Sequence, residues 1–214
     1  VTAQQSARSV FGLAAQRGLR DVAMVVPPGA FGAQPVAAAR AVAQQTGIAL
    51  REPLVRDSAA GLAQAIRADG VPDAVYLPAA DATLPAFADA LAGLGAQIMG
   101  SAQWSAADLT GRAALRDAWF AAPDPLRFAA FDRAFREATG RPAGIIAGLA
   151  YDGAELLRIL GQTGAQTRRG LLREDGFIGV LGPYRFLPSG QCQRALGVLR
   201  VGAEDFSLIG SVSL

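Results

Sequence analysis

Through the first half of the chain, short continuous apolar runs alternate with stretches where apolar residues return every third or fourth position. Ala7, Val10, Phe11 and Ala14 carry the helical spacing and predict a helix over Gln4–Gln16 that stops at Gly18. Asp21–Pro27 (DVAMVVP) is apolar without alternation, the mark of a strand buried on both faces. Gln34–Gln45 reads as a helix ended by Thr46-Gly47. Ile48–Val55 reads as a strand near an edge, because Pro53 removes a ladder donor. The pattern then repeats. Ser58 is placed to cap a helix running to Asp69, Asp73–Pro78 is a strand, Leu84–Leu91 a helix and Ala96–Gly100 a strand. A fifth strand, Asp117–Pro125, leaves through a proline-rich exit.

Strand–helix alternation with short connections predicts an α/β fold: a parallel, doubly wound sheet with helices on both faces, spanning residues 1–122 as one lobe. The second half differs. Leu126–Thr139 and Ile145–Gly161 are consecutive helices joined at GRP, with a shorter helix near Arg168–Arg173. Gly176–Gln191 (GFIGVLGPYRFLPSGQ) reads as a hairpin, and Arg194–Val201 as a last strand. So few strands cannot build a second sheet beside those helices, so residues 123–214 read as part of a lobe.

Composition narrows the function classes. At 214 residues and 51% hydrophobic the chain buries a real core, and its Ala and Gly content suits close helix–sheet packing. Every basic residue is arginine, which reads as base-composition drift. A net charge of +2 with scattered arginines argues against nucleic acid, and the one local cluster, Thr167–Asp175, reads as a solvated helix face. No run is long and apolar enough to span a membrane. There is no signal peptide, and the chain opens mid-pattern, which leaves room for a leader before it. Cys192, the single cysteine, has no internal disulfide partner, lies too far along to carry a mature lipoprotein's lipid, and is expected to pack as a small side chain.

The chemistry of most enzymes is missing. Without histidine there is no Ser-His-Asp triad and no histidine-ligated metal; without lysine there is no P-loop and no Schiff base. Gly93–Gly95 precedes a strand and so fails the dinucleotide-binding context. The acidic pairs Glu174-Asp175 and Glu204-Asp205 sit as solvated turns do, leaving carboxylate-only catalysis as the enzymatic alternative. The reading is a protein that is not an enzyme, with no cofactor and no metal.

Ligands of open parallel sheets bind beyond the carboxyl ends of the strands. That rule selects Pro27–Phe31, Pro78–Asp81 and Ser101–Trp104, with Ala30, Phe31, Ala79, Ala80, Asp81, Ser101, Gln103 and Trp104 as candidate ligand-binding residues. The first two loops lead into helix N-termini, whose free N–H groups favour an anion. Phe31 and Trp104 offer apolar walls, and Asp81 and Gln103 polar handles. Each has a structural alternative: Phe31 packing on the helix it starts, Asp81 as an N-cap, Trp104 as a lid over the sheet edge.

Ala147–Leu160 (AGLAYDGAELLRIL), followed by the hairpin and last strand, resembles the C-terminal end of type I periplasmic solute-binding proteins of the Leu/Ile/Val-binding-protein-like family. The resemblance implies that residues 1–122 form the second lobe, and residues 123–214 the returning part of the first lobe plus a closing strand; the rest of the first lobe has no counterpart. It implies a partial second-lobe fold that closes on a small polar solute, an amino acid or a relative, for an ABC-type transporter in the periplasm. Hinges are expected near Ala121–Pro125 and Gly182–Tyr184. VVPPGAFG looks like the family's strand-then-aromatic segment, which puts Phe31 where an aromatic stacks on the ligand. MGSAQW matches the loop that in amino-acid binders carries a glutamate; here Ala102 and Gln103 stand there and neither is acidic. GSAQW, AWFAAPDP and AYDGAELL together also resemble the penicillin-binding protein activators. That branch implies a lipoprotein, anchored through a missing N-terminal segment, whose partner is a peptidoglycan synthase rather than an ABC-type permease.

Overall fold

The apolar runs take the centre of a sheet and the amphipathic stretches cover it. The computed structural model describes residues 1–211, which divide into a larger unit, Thr2–Ala122 with Gly197–Ser211, and a smaller one, Pro123–Leu196, with which Val1 groups. In chain order the larger unit begins α1 (Ala3–Gln16), β1 (Asp21–Val26), α2 (Ala30–Thr46), β2 (Ala49–Leu50) and β3 (Leu54–Val55). It continues with α3 (Leu62–Arg67), β4 (Ala74–Leu77), α4 (Leu84–Leu91), β5 (Gln97–Gly100), two 3-10 turns (Ala102–Ala106, Ala113–Leu115) and β6 (Trp119–Ala122). The smaller unit holds α5 (Pro125–Thr139), α6 (Ile145–Gln162), α7 (Arg168–Leu171), β7 (Phe177–Gly179), β8 (Gly182–Phe186) and β9 (Cys192–Arg194). β10 (Gly197–Val201) and β11 (Phe206–Ser211) then return to the larger unit.

Among the described residues the main sheet runs β11-β10-β6-β5-β4-β1-β2, with β3 also paired to β1. β1 to β6 are parallel and β10 and β11 antiparallel. One face (Ala23, Val25, Val75, Leu77, Ile98, Phe120) packs on Leu62 and Ile66 of α3 and on Leu84, Phe87 and Leu91 of α4. On the other face Phe11 of α1 meets Tyr76 edge-on at 5.2 Å. Each large apolar side chain fully buried this way contributes about 1.5–3 kcal/mol. The chain goes from β1 to β2 and β3 on one side and then to β4 on the other, so the order reverses between β1 and β4.

Several boundaries depart from the sequence reading for local reasons. α2 begins at Ala30, four residues earlier than expected, because Gly29 at φ 78° turns the chain and its carbonyl accepts from the amides of Gly32 and Ala33. Ile48–Val55 is two short strands broken ahead of Pro53, both paired to β1. Ser58 does not cap α3; the helix starts after Gly61 at φ 65°, a turn that sinks Leu62 into the core. β6 is shorter than Asp117–Pro125, since Asp117 sits at φ 64° and Pro123 and Pro125 offer no donors. Arg194–Val201 is divided between β9 and β10, which lie in different units. The division of the chain is therefore redrawn: residues 197–211 extend the sheet of 2–122 rather than standing with 123–196. The chain passes between units at Ala122–Pro123, within the first expected hinge, whereas Gly182–Tyr184 lies inside the β7-β8-β9 meander and crosses nothing.

In the smaller unit Asp124 caps α5, accepting from the amides of Leu126 and Arg127. α6 packs on the meander through Leu156, Leu160, Phe177 and Tyr184. The Asp152 carboxylate occupies the space a Cβ at Gly179 would need and pairs with Arg194 at 2.7 Å, both side chains at most 4% exposed. Burial, with Asp152 alongside, pushes the Tyr184 phenol up to about 12.

Candidate functional site

The three loops expected from the sequence all lie in the larger unit and leave the carboxyl ends of β1, β4 and β5, with β1 and β4 flanking the reversal of strand order. The loop after β1 is folded tightly over its own helix. A Cβ at Gly32 would stand 2.0 Å from the Pro27 carbonyl oxygen, so only glycine permits this approach. The loop raises Phe31 to 87% exposure instead of packing it on the helix it starts. The first amides of α2, at Ala30 and Phe31, have no acceptor within the helix.

The loop after β5 turns inward. Trp104 is fully buried, and its indole lies where a Cβ at Gly100 would be. Its ring stacks on Phe120 at 6.2 Å, and Nε1–H donates to the carbonyls of Leu77 (2.9 Å) and Ala79 (3.1 Å). The buried Ser101 hydroxyl donates to the Pro78 carbonyl at 2.6 Å and accepts from the Gln103 amide. Ser6 of α1 accepts from the Ala102 amide at 3.2 Å. Trp104 therefore presents no wall to a ligand; it fastens the β5 loop to the β4 loop. Gln103 is exposed on that loop, and Ala79 and Ala80 are half-buried between the two. Asp81 is exposed, and its Oδ1 accepts from the amide and hydroxyl of Thr83, an Asx turn ahead of α4 rather than the helix cap itself.

The structure thus brings Ala30, Phe31, Ala79, Ala80, Asp81 and Gln103 to one edge of one sheet and places Ser101 and Trp104 beneath it. Asp81 is the only charged side chain of that set. Among the described residues no group of His, Cys, Asp and Glu could hold a metal, and no helix is long and apolar enough to cross a membrane. The sequence reading missed two shallow hollows of about 380 Å³ each, which share Gly95–Gln97. They lie at the opposite edge of the sheet, and two of their polar side chains are already committed. Gln97 donates to the carbonyls of Ile98 and Asp117, and Asp73 accepts from the amides of Arg20 and Asp21.

No family model matches this sequence, and no curated protein matches it. Solved structures do. A putative branched-chain amino acid ABC transporter protein from Rhodospirillum rubrum superposes with a TM-score of 0.81 at 21% identity, over 98% of this chain and 66% of that one. The fold is the type I periplasmic-binding-protein fold. An ABC transporter substrate-binding protein from Desulfitobacterium hafniense in complex with Leu gives 0.74 at 18% identity, over 97% and 65% of the two chains. A solute-binding protein of an ABC transporter from Rhodopseudomonas palustris, in complex with 3,4-dihydroxybenzoic acid, gives 0.67 at 18%, over 99% and 65%. The chain spans about two thirds of the length of these structures, so the type I fold is present here in part.

Proposed function

We propose that the chain supplies the second lobe, and part of the first, of a periplasmic solute receptor that closes on a small polar solute for an ABC-type permease. The observation that carries this reading is the convergence of three loops on the carboxyl edge of one sheet, two of them at the reversal of strand order. Phe31 would stack on the solute, and Ala30, Ala79, Ala80, Asp81 and Gln103 would line its second-lobe side, held from below by Ser101 and Trp104. The structural neighbours bind leucine or a hydroxybenzoate, both carboxylates, which favours an amino acid or a related carboxylate. With no acid on the 101–104 loop to meet an ammonium, the carboxylate is the better-served end. The reaction would be binding and hinge closure with no covalent step, the crossings at Ala122–Pro123 and Leu196–Gly197 bending.

A second reading has its own observation. In the smaller unit Ile146, Leu149 and Leu157 stand exposed along one side of α6, and Leu126 stands exposed at the start of α5, apolar surface suited to a protein partner. It favours a penicillin-binding-protein-activator role, as a lipoprotein contacting a peptidoglycan synthase. One thermal-shift screen separates the two, using leucine, other amino acids, benzoates and peptidoglycan fragments. A true solute at 100-fold its Kd adds about 2.7 kcal/mol and raises Tm by roughly 5–10 °C. Flat curves throughout would sink the receptor and turn the search to synthase pull-downs.

A further inference from the structure

We infer that Ser101 and Trp104 set the polarity of this site, making the exit of β4 a ledge of N–H donors that selects a solute bearing a hydrogen-bond acceptor, such as a carboxylate. The inference rests on the receptor reading and names what that site recognises. Three successive carbonyl oxygens leave β4, those of Leu77, Pro78 and Ala79, and all three are taken up from below by the Trp104 indole N–H and the Ser101 hydroxyl. A peptide unit is planar and trans, so its N–H points away from its C=O. With the Pro78 and Ala79 carbonyls turned under, the amides of Ala79 and Ala80 point the other way. Neither amide has an acceptor among the described residues, and both residues are half-buried. Asp81, the nearest carboxylate in sequence, has its Oδ1 committed to Thr83.

The arrangement is built rather than incidental. Gly100 leaves room for the indole, since a Cβ there would stand 2.1 Å from the ring. Ser6, from α1, holds the start of the same turn through the Ala102 amide. A ligand ammonium arriving at the Ala79 and Ala80 amides would find no acceptor in either, and its nearest carboxylate would be Asp81, one of whose oxygens is held by Thr83. A carboxylate or carbonyl oxygen would meet two aligned N–H groups, which is how backbone commonly receives anions.

The test uses the 214-residue chain with two variants. W104F removes the indole N–H but keeps a ring against Phe120, and S101A removes the Pro78 contact. Without ligand, W104F is expected to displace the Ala80 amide resonance and S101A the Ala79 amide resonance, because the carbonyl of the same peptide unit loses its donor, while α1 and β1 resonances stay in place. Amide resonances at wild-type positions in both variants overturn the inference. Benzoate, leucine and isobutylamine are then titrated into the 15N-labelled chain. Benzoate and leucine are expected to shift the Ala79 and Ala80 amide resonances while isobutylamine does not, and W104F should weaken benzoate about tenfold or more. Shifts of those amides by isobutylamine, or equal benzoate affinity in W104F, overturn it. If the ligand-free resonances respond as expected but no probe moves any of them, the receptor reading falls and takes the selectivity with it, while the pinned carbonyls stand.

Discussion

Substituting Asp152 by alanine removes half of an ion pair that water does not reach. Oδ2 sits 2.7 Å from the Arg194 guanidinium, with the two side chains 3% and 4% exposed, and Oδ1 accepts from the Val180 amide at 2.7 Å. The guanidinium also donates to the Gly182 carbonyl at 3.2 Å and lies over the Tyr184 ring at 4.5 Å, so it has no route to solvent when its partner goes. An uncompensated buried charge costs about 3–5 kcal/mol, and the orphaned Val180 N–H falls within the same loss. With a urea dependence of about 1–3 kcal/mol/M, the unfolding midpoint of the smaller unit should fall by on the order of 1–5 M. Urea titration followed by far-UV circular dichroism reads the loss, and exchange of the Val180 amide localises it. The double variant Asp152→Ala/Arg194→Met removes both charges and should recover about 1 kcal/mol or more of the combined single losses. If each single variant costs under about 1 kcal/mol and Val180 exchanges as in wild type, the pair is not what holds the meander to α6.

Tyr76→Phe should stabilise the larger unit by about 1 kcal/mol, because the phenol is fully buried and its hydroxyl meets no acceptor among the described residues; a loss of similar size in urea would show that it has one. Gly100→Ala drives a methyl into the Trp104 ring, and a red-shifted emission with a loss of about 1–3 kcal/mol is expected; unchanged emission would mean the indole sits elsewhere. The Arg20 and Asp21 amides hold the Asp73 carboxyl below the usual carboxylate range. Since the folded pKa is the lower one, its contribution is full above about pH 4 and is lost as pH falls through the lowered value. Asp73→Asn should flatten that acid limb in a plot of urea midpoint against pH, and an unaltered limb would assign it to other carboxylates.

How far the sequence could be read depended on the range of the forces involved. β1 and β4 were legible because burial on both faces demands an unbroken apolar run, as Val22–Val26 and Ala74–Leu77 supply. The start of α2 was not, since its cap is Gly29 in a left-handed turn and no side-chain acceptor announces it. The pairing of β10 with β6 joins residues more than seventy apart, and no local pattern encodes it. At the site the loops were legible from topology, but Trp104 was not. Set among Ser101, Ala102 and Gln103 it looks like a surface residue, and its one signal was the glycine directly before the loop. Asp152 had a clearer signal that went unused: it interrupts the stripe Gly148, Leu156 and Leu160 on the buried face of α6, where a lone acid requires a partner.

The smaller unit is where structure and proposed function bear most directly on each other. α1 buries seven of its residues, including Val10, Phe11 and Leu13, whereas α5 buries none. What holds α5 is its cap at Asp124, the Asp132–Arg136 pair, which keeps the Asp132 carboxyl below its usual range, and a string of ring contacts from Phe128 through Phe131 to Tyr151. Exposed ion pairs contribute about 0–1 kcal/mol each, and a helix without a buried face opens locally at little cost. Amide exchange in α5 should therefore run orders of magnitude faster than in α1 of the same molecule. Chain or partner packed along Leu126, Ile146, Leu149 and Leu157 would slow it. Exchange as slow in α5 as in α1, for the 214 residues alone, would show that this unit needs nothing more to be stable, and would remove the exposed face as an argument for a partner.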